Sequence, residues 1–295
     1  MAAIDRRRFL GSAASLGAAG LLSASLPFRA CYGDTNPSNK SKMQFGLVTY
    51  MWGADWDLPT LLANCEKAGA LGVELRTTHK HGVEPSLSTA QRREVKRRIA
   101  DSPVTLVGLG SAEDFHDVDP QSLKDSIEAT KAFLKLSHDV GGSGVKVRPN
   151  DLPSEVSQEQ TIAQIGAALN EVGAYGADYG QQVRLEVHGK CSPLPIIAAI
   201  MEVADHPNVG VCWNSNAQDL QGEGIAHNFE LVQKRLGATT HVHGLANDDY
   251  PYAELFALLK AADYQGWVLE EAGDKPADRV AALIREREAF ERLVR

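Results

Sequence analysis

The chain has 295 residues, 43% of them hydrophobic and 23% charged, so it can bury a large core within a single domain. Its net charge is −8, and it becomes −11, from 26 basic and 37 acidic residues, once the arginine-rich first thirty residues are set aside. A surface this acidic repels phosphate backbones and argues against nucleic acid as a partner. Four cysteines without metal-type spacing are too few to form a disulfide framework.

Residues 1–30 have the layout of an export signal. Three arginines at 6–8 precede an apolar run of small residues at 12–26. The pattern resembles the twin-arginine signal of bacteria and predicts an exported, periplasmic protein. A membrane anchor is the alternative, but the run is short and rich in alanine and glycine, so we expect no stable membrane insertion of the mature chain. The context of Cys31 disfavours a lipid anchor without excluding it, and residues 31–42 are predicted to be a linker.

From residue 43 onward, strand-like and helix-like segments alternate. Strict alternation predicts parallel strands with right-handed crossovers, and eight units in about 250 residues match a closed (β/α)8 TIM barrel at 43–295. A doubly wound open sheet is the alternative, but no glycine-rich nucleotide-binding loop follows the first strand. The predicted strands lie at 45–50, 72–76, 104–109, 145–148, 183–187, 209–213, 240–245 and 267–270. The predicted helices lie at 58–70, 90–100, 123–140, 160–179, 194–204, 229–236, 252–261 and 277–293.

Polar residues follow the strands, at the barrel end where active sites of this fold lie. In the fifth strand apolar and polar residues alternate, so Glu186 and His188 point to the same side. The other strands end in comparable groups. These are Glu74, Arg76, His79 and His81; Glu113 and His116; Lys146, Arg148 and Asn150; Asn214 and Asn216; His241 and His243; and Glu270 and Glu271.

The fifth to eighth strands end in a carboxylate, an amide, an imidazole and a carboxylate. Four such groups on successive strands would converge near the barrel axis, as a divalent metal requires. Mixed oxygen and nitrogen ligands suit one manganese, magnesium, cobalt or zinc ion. The pattern alone does not decide between His241 and His243, or between Glu270 and Glu271.

The order of these strand ends resembles the sugar phosphate isomerase/epimerase family of xylose isomerase-like barrels. The resemblance is carried by LEVHG at 185–189, VCWN at 211–214, HVH at 241–243 and YQGWVLEE at 264–271. It covers nearly all of residues 43–295.

The resemblance implies a single divalent metal held from strands five to eight. Glu271 is preferred to Glu270 because the family places this glutamate five residues after the glycine, here Gly266. His241 ranks second to His243 because it lies one pleat deeper. The implied metal ligands are Glu186, Asn214, His243 and Glu271.

Two positions depart from the family pattern. Asn214 replaces the usual aspartate, and Ala217 replaces a histidine that binds substrate in some relatives. An amide oxygen brings no charge, so the metal is expected to bind less tightly. His188 would compensate as a further ligand or as a partner of one.

The implied function is that of a metal-dependent isomerase or epimerase acting on a sugar or keto-sugar. Proton transfer next to a carbonyl would pass through an enediolate, with Glu186 and Glu271 as the acid/base pair. A metal-assisted lyase or hydrolase, and a non-catalytic exported sugar-binding protein, are the alternatives. The sequence leaves a homo-oligomer open. The expected substrate-binding residues are His188, Lys146, Arg148, His116, Glu74 and Arg76.

Overall fold

Eight parallel strands and their connecting helices make up residues 41–295, the part of the chain that the computed structural model describes. The predicted export signal and nearly all of the predicted linker lie outside this part. The strands are β1 (Gln44–Val48), β2 (Gly72–Arg76), β3 (Thr105–Asp114), β4 (Gly144–Arg148), β5 (Gln182–Glu186), β6 (Val209–Cys212), β7 (Thr239–Val242) and β8 (Trp267–Glu270). The helices are α1 (Leu58–Ala68), α2 (Thr89–Ala100), α3 (Pro120–Val140), α4 (Gln158–Ala177), α5 (Leu194–Val203), α6 (Ile225–Val232), α7 (Tyr252–Ala261) and α8 (Arg279–Leu293).

The predicted (β/α)8 barrel is confirmed, with the eight strands and eight helices in their predicted order along the chain. The bounds of most elements differ from the predicted ones by a few residues, and β3 and α6 differ most. β3 continues to Asp114 because its far end pairs with Arg148 of β4 after a register shift. α6 begins at Ile225, directly after Gly224 in a conformation with φ of 88°, and its last turn tightens into a 3-10 helix.

The strands follow the order β6-β5-β4-β3-β2-β1-β8-β7, so each lies beside its neighbour in sequence. The seam between β6 and β7 is closed by two isolated parallel bridges, Val211 with Leu236 and Asn214 with His241. At this seam the backbone nitrogen of His241 donates to the Trp213 carbonyl at 2.7 Å. Closure therefore brings residues 214 and 241 side by side at the carboxyl end of the barrel.

β5 illustrates how the barrel separates apolar from polar side chains. Val183 and Leu185 are fully buried in the main hydrophobic core, whereas the alternating Arg184 and Glu186 are buried among polar groups. Arg184 fits because β3 has a glycine at position 108, where an added Cβ would lie 2.7 Å from Arg184 Nη1. The inner residues of β5 thus form a polar column that ends at Glu186.

Helix ends follow local sequence signals. Ser88 and Ser157 form capping boxes at the starts of α2 and α4. Gly69 ends α1 in the left-handed conformation that an L-residue rarely adopts. Within residues 41–295 no helix is both long and apolar enough to cross a bilayer.

Candidate active site

A cavity of about 410 Å³ opens at the carboxyl end of the barrel. Its walls are mostly polar or charged, which is typical of a site for a hydrophilic small molecule rather than a lipid. The lining residues are Tyr50, Arg76, Lys146, Arg148, Glu186, His188, Asn214, Asn216, His243, Glu271 and Gly273.

Three residues next to this cavity bring potential metal ligands together. Glu186, His241 and Glu271 each offer one atom, and these atoms lie within 4.8 Å of one another. His241 Nδ1 is 3.2 Å from Glu186 Oε1 and 3.2 Å from Glu271 Oε2. Two carboxylates and an imidazole at this spacing form a donor set that suits a divalent cation.

Glu186 has contacts on both carboxylate oxygens. Lys146 Nζ lies 2.7 Å from Oε2, and both side chains are almost completely buried. Asn214 Nδ2 donates to Oε1 at 3.1 Å, while the buried Asn214 Oδ1 has no partner among residues 41–295. An amide oxygen is therefore available beside the carboxylate, and the residues of this group fit a metal ion.

The charges of the group stabilise one another despite burial. Burial by itself would raise the pKa of the Glu186 carboxyl, but the Lys146 ammonium holds it at about 2. Burial opposes ionisation of Glu271 as well, yet His241 keeps the pKa of that carboxyl well below its ordinary value. The Lys146 pKa is raised in turn, against the effect of burial, by Glu186 and other nearby carboxylates. Both carboxylates are therefore ionised at neutral pH.

The structure separates the two histidines of strand seven. His241 is fully buried, and its pKa lies well above the ordinary value because Cys212, Glu271 and Glu74 outweigh the effect of burial. His243 follows the strand on the cavity wall, with a side chain 37% exposed and Nε2 3.7 Å from Glu271 Oε2. His241, which the sequence ranks second, is the histidine placed between the two glutamates.

The two glutamates at the end of β8 also lie in different environments. Glu271 borders the cavity, whereas Glu270 is fully buried and its Oε1 accepts a hydrogen bond from the Gly244 backbone at 2.7 Å. Burial raises the pKa of Glu270 well above its ordinary value, and Glu286 of α8 adds to this effect. Glu270 therefore faces the helix layer, as the two-residue period of a strand requires.

Glu74 lies below the cavity instead of lining it. Its side chain is fully buried, and Oε1 is 3.4 Å from His241 Nε2. Gly110 of β3 leaves the room it needs, since an added Cβ there would be 3.0 Å from Glu74 Oε1. Glu74 thus supports His241 from the side opposite Glu186.

The remaining predicted residues divide between the cavity and the loops. Arg76, Arg148 and His188 border the cavity. His116 is not among the lining residues, and its Nδ1 lies 3.1 Å from Asp114 Oδ1. His188 Nδ1 is 3.1 Å from Oδ1, the side-chain amide oxygen of Asn150, which can only accept, so this nitrogen carries the proton.

Asp219 is a buried carboxylate that the sequence reasoning did not identify. It lies in the 3-10 turn after β6, and its Oδ2 accepts from the Asn216 backbone at 2.9 Å and from the Tyr250 hydroxyl at 2.8 Å. Asn216 in turn borders the cavity. The spacing Asn216-x-x-Asp219 is a capping pattern that could have indicated this contact.

We expect Asp219→Asn to make the protein more stable at alkaline pH. Burial raises the pKa of Asp219 from 3.8 to about 7, so the folded state holds this proton more tightly than the unfolded state. The protonated Asp219 therefore stabilises the folded state fully below about pH 4, and this contribution is lost as pH rises through about 7. The asparagine variant should gain about 2 kcal/mol at pH 8, roughly half of what the full pKa difference would give, and little at pH 4. Urea unfolding at both pH values measures this, with the exposed Asp249→Asn as control; equal gains at both would contradict it.

Replacing His241 should weaken metal binding far more than replacing His243. Calorimetric titration of EDTA-treated protein with Mn²⁺ is expected to show a loss of at least about 100-fold for His241→Ala and less than about 10-fold for His243→Ala, because only His241 lies between both glutamates. His227→Ala, on the outer helix α6, serves as control. A larger loss in the His243 variant would restore the ranking made from the sequence.

The family of the chain follows from comparison with known proteins. The model of the xylose isomerase-like TIM barrel family matches residues 62–293. The chain belongs to this family. The resemblance inferred from the strand ends is thereby confirmed at the level of the family, whereas no curated protein sequence matches the chain significantly.

Several solved structures of other proteins superpose on most of the chain. A 3-keto-D-glucoside 4-epimerase from E. coli matches with a TM-score of 0.70 and 17% identity, over 85% of this chain and 98% of that one. An L-ribulose 3-epimerase matches with a TM-score of 0.72 and 16% identity, over 85% and 94%. A D-allulose 3-epimerase from Methylomonas sp. matches with a TM-score of 0.72 and 18% identity, over 86% and 98%. At these identities the likeness establishes the fold alone.

Proposed function

We propose that the chain is a metal-dependent epimerase or isomerase of keto-sugars. One observation carries the proposal: Glu186 and Glu271 both border a single polar cavity and both contact His241 at 3.2 Å. Two ionised carboxylates beside one small-molecule site can take a proton from one face of a substrate and return it to the other. The similar structures named above act on L-ribulose, D-allulose and a 3-keto-glucoside, which supports the substrate class.

In the proposed site, Glu186, His241 and Glu271 would hold the metal, with the Asn214 amide oxygen as a further donor. When bound, a divalent ion would polarise a substrate carbonyl and so make the proton on the neighbouring carbon more acidic. Asn214 contributes no charge, and Lys146 offsets part of the charge of Glu186. We therefore expect moderate metal affinity.

The carboxylates of Glu186 and Glu271 differ in how many of their oxygens have partners. Both oxygens of Glu186 have partners, whereas Glu271 contacts histidines through Oε2 alone, and its Oε1 has no partner among residues 41–295. Glu271 is thus the better placed to take a proton from carbon without losing another contact. Glu186, held by Lys146, is the more rigid partner that serves the opposite face.

His188 is suited to bind a substrate hydroxyl. Burial lowers the pKa of its imidazole, so the ring is neutral at neutral pH. With the proton on Nδ1 toward Asn150, the other ring nitrogen is an acceptor. A neutral acceptor on the cavity wall can orient a substrate hydroxyl, and because it carries no charge it neither attracts nor repels the charged residues of the candidate metal site.

Deuterium exchange tests the proposal directly. Keto-sugars, including D-allulose, L-ribulose and six-carbon keto-sugar acids, are incubated in D₂O with Mn²⁺-loaded protein, and the carbon next to the carbonyl is followed by NMR. We expect enzyme-dependent incorporation of deuterium together with the appearance of the epimer. A folded, metal-loaded protein that binds these compounds but introduces no deuterium would instead indicate a sugar-binding protein.

Asn214→Asp should tighten metal binding. A carboxylate at this position would add a negative charge beside Glu186, which favours a divalent ion by about 10-fold or more in affinity. Titration with Mn²⁺ measures the change, and Asn247→Asp in an exposed loop controls for the added charge. Unchanged affinity would mean that residue 214 is not a ligand.

We also propose that the protein is exported to the periplasm, on the basis of the arginine run at 6–8 and the apolar run that follows it. Fractionation of cells that produce the full chain would locate it. Replacing Arg6 and Arg7 with lysine should retain the protein in the cytoplasm if the twin-arginine route is used.

A further inference from the structure

We propose that the cavity takes a sugar carrying an anionic group, a carboxylate or a phosphate, and that Arg76 and Arg148 bind this group. The inference rests on the proposed function, because it names the substrate class of the same cavity. It adds a specificity site on the wall away from the candidate metal ligands.

The two arginines occupy equivalent places on neighbouring parts of the barrel. Arg76 ends β2, Arg148 ends β4, and both side chains border the cavity. Between these strands, β3 has Gly110 as the Cα partner of both Arg76 and Lys146, so no side chain stands at that level. The candidate metal ligands belong to β5, β7 and the end of β8, so the cationic and metal-binding walls are built from different strands.

Neither guanidinium is well neutralised within the described part of the chain. Arg76 makes no side-chain hydrogen bond or ion pair there; its group lies 5.8 Å from the centre of the Tyr50 ring. Arg148 Nη2 donates to the Ala112 carbonyl at 2.6 Å, but its ion pair with Asp114 is long, at 3.8 Å. Arg148 Nε is buried without a partner among residues 41–295. Donors of both arginines are therefore available to a ligand.

Three other buried or partly buried cationic side chains of the barrel have close partners. Lys146 is neutralised by Glu186 at 2.7 Å, and the partly buried Arg92 pairs with Asp139 at 2.8 Å. Arg235 donates to four backbone carbonyls. Arg76 and Arg148 thus differ from these three side chains in keeping donors free at the cavity.

The chemistry of the guanidinium selects the class of ligand. Its planar fork matches the two oxygens of a carboxylate or phosphate, and such charge-assisted pairs are about twice as strong as neutral hydrogen bonds. A neutral sugar would displace water from the two guanidinium groups without supplying a negative charge in its place, and this desolvation would weaken binding. Since the chain is otherwise acidic, these arginines would also provide local attraction for an anionic substrate.

Binding to metal-free protein tests the inference without requiring turnover. EDTA treatment prevents an anion from binding through a metal, and calorimetry at low salt compares D-fructose, D-fructose 6-phosphate and 5-keto-D-gluconate. We expect at least one anionic compound to bind about 10- to 100-fold more tightly than D-fructose, as hydrogen bonds to charged groups imply. The two anions distinguish a phosphate site from a carboxylate site. The preference should weaken at high salt.

Variants assign the preference to the arginines. Arg76→Gln and Arg148→Gln should each lower the affinity for the preferred anion by about 10-fold or more and leave D-fructose binding unchanged. Arg93→Gln, on the exposed face of α2, is the matched control. Arg148→Gln also loses the contact to Ala112, so its folding is checked by thermal unfolding. The Arg76 side chain makes no hydrogen bond within residues 41–295, so Arg76→Gln loses none there and keeps the test decisive.

Three results would overturn the inference: no binding of either anion, equal affinity for anions and D-fructose, or variants that weaken all three compounds alike. These three results can be told apart from a failure of the proposed epimerase function. Anion binding through the arginines without deuterium exchange in any keto-sugar would reject the enzymatic proposal alone. Exchange in neutral keto-sugars with no preference for anions would reject the anion site alone.

Discussion

Glu271→Gln and Glu186→Gln are each expected to lower the rate of epimerisation by about 10³-fold or more, since each removes one of the two groups that move the proton. The two variants should differ in a further way. If Glu271 removes the proton from one epimer, then Glu186→Gln can still exchange that proton for deuterium, because Glu271 can take it and return it on the same face. Glu271→Gln should lose this exchange and keep that of the opposite epimer. NMR of both pure epimers in D₂O separates the cases.

Metal content must be measured in the same samples, because both glutamates are candidate ligands. Deuterium exchange is therefore measured at saturating Mn²⁺. A variant that binds the metal but does not exchange has lost a base, whereas a variant that exchanges only at high Mn²⁺ has lost metal affinity. Glu202→Gln, on the exposed face of α5, controls for the change of charge. If both variants retain epimerisation within about tenfold of wild type, these carboxylates do not form the acid/base pair.

Lys146→Met should destabilise the folded protein by about 3–5 kcal/mol, since it leaves the Glu186 carboxylate buried without its cationic partner. The pKa of Glu186, which Lys146 holds at about 2, should then rise. For a domain of this size the loss corresponds to a fall of roughly 10 °C in Tm. Urea unfolding and calorimetry of the metal-free protein measure both quantities.

The double variant Lys146→Met/Glu186→Gln sharpens this test. Removing both charges should restore much of the stability, because the cost of Lys146→Met arises from a buried carboxylate that has lost its closest cation. Lys190→Met is the matched control: Lys190 also pairs with an acid at 2.8 Å, Asp151, but its side chain is 69% exposed, so solvent screens the pair and a much smaller loss is expected. Equal losses in the Lys146 and Lys190 variants would show that the buried ion pair is not a major source of stability.

The barrel itself could be predicted from local patterns. Apolar residues repeat every two positions in strands and every three to four in helices, and this contrast is set by the geometry of each element. The alternation in β5 places Glu186 on the inner face and Leu185 on the outer one. The same period separates Glu271 from Glu270. These assignments need only the parity of a residue within one strand.

The depth along the barrel axis at which the polar groups meet could not be predicted in this way. His241 and His243 share a parity, but only tertiary structure shows that β7 ends between them, so His241 enters the buried group and His243 remains on the wall. Glu74 shares its parity with Arg76, yet lies below the cavity beside His241. Which polar groups meet depends on the stagger of neighbouring strands, and no local pattern encodes that stagger.

The sequence by itself determined the fold, the end of the barrel that carries the site, and the chemical types gathered there. Tertiary structure decided the partners: Lys146 with Glu186, His241 between two glutamates, and Asp219 with Tyr250. The physical reason is the distance along the chain over which each interaction acts. Periodicity and capping arise within a few residues, whereas the buried charges find partners on strands that lie 40 and 55 residues apart in the chain.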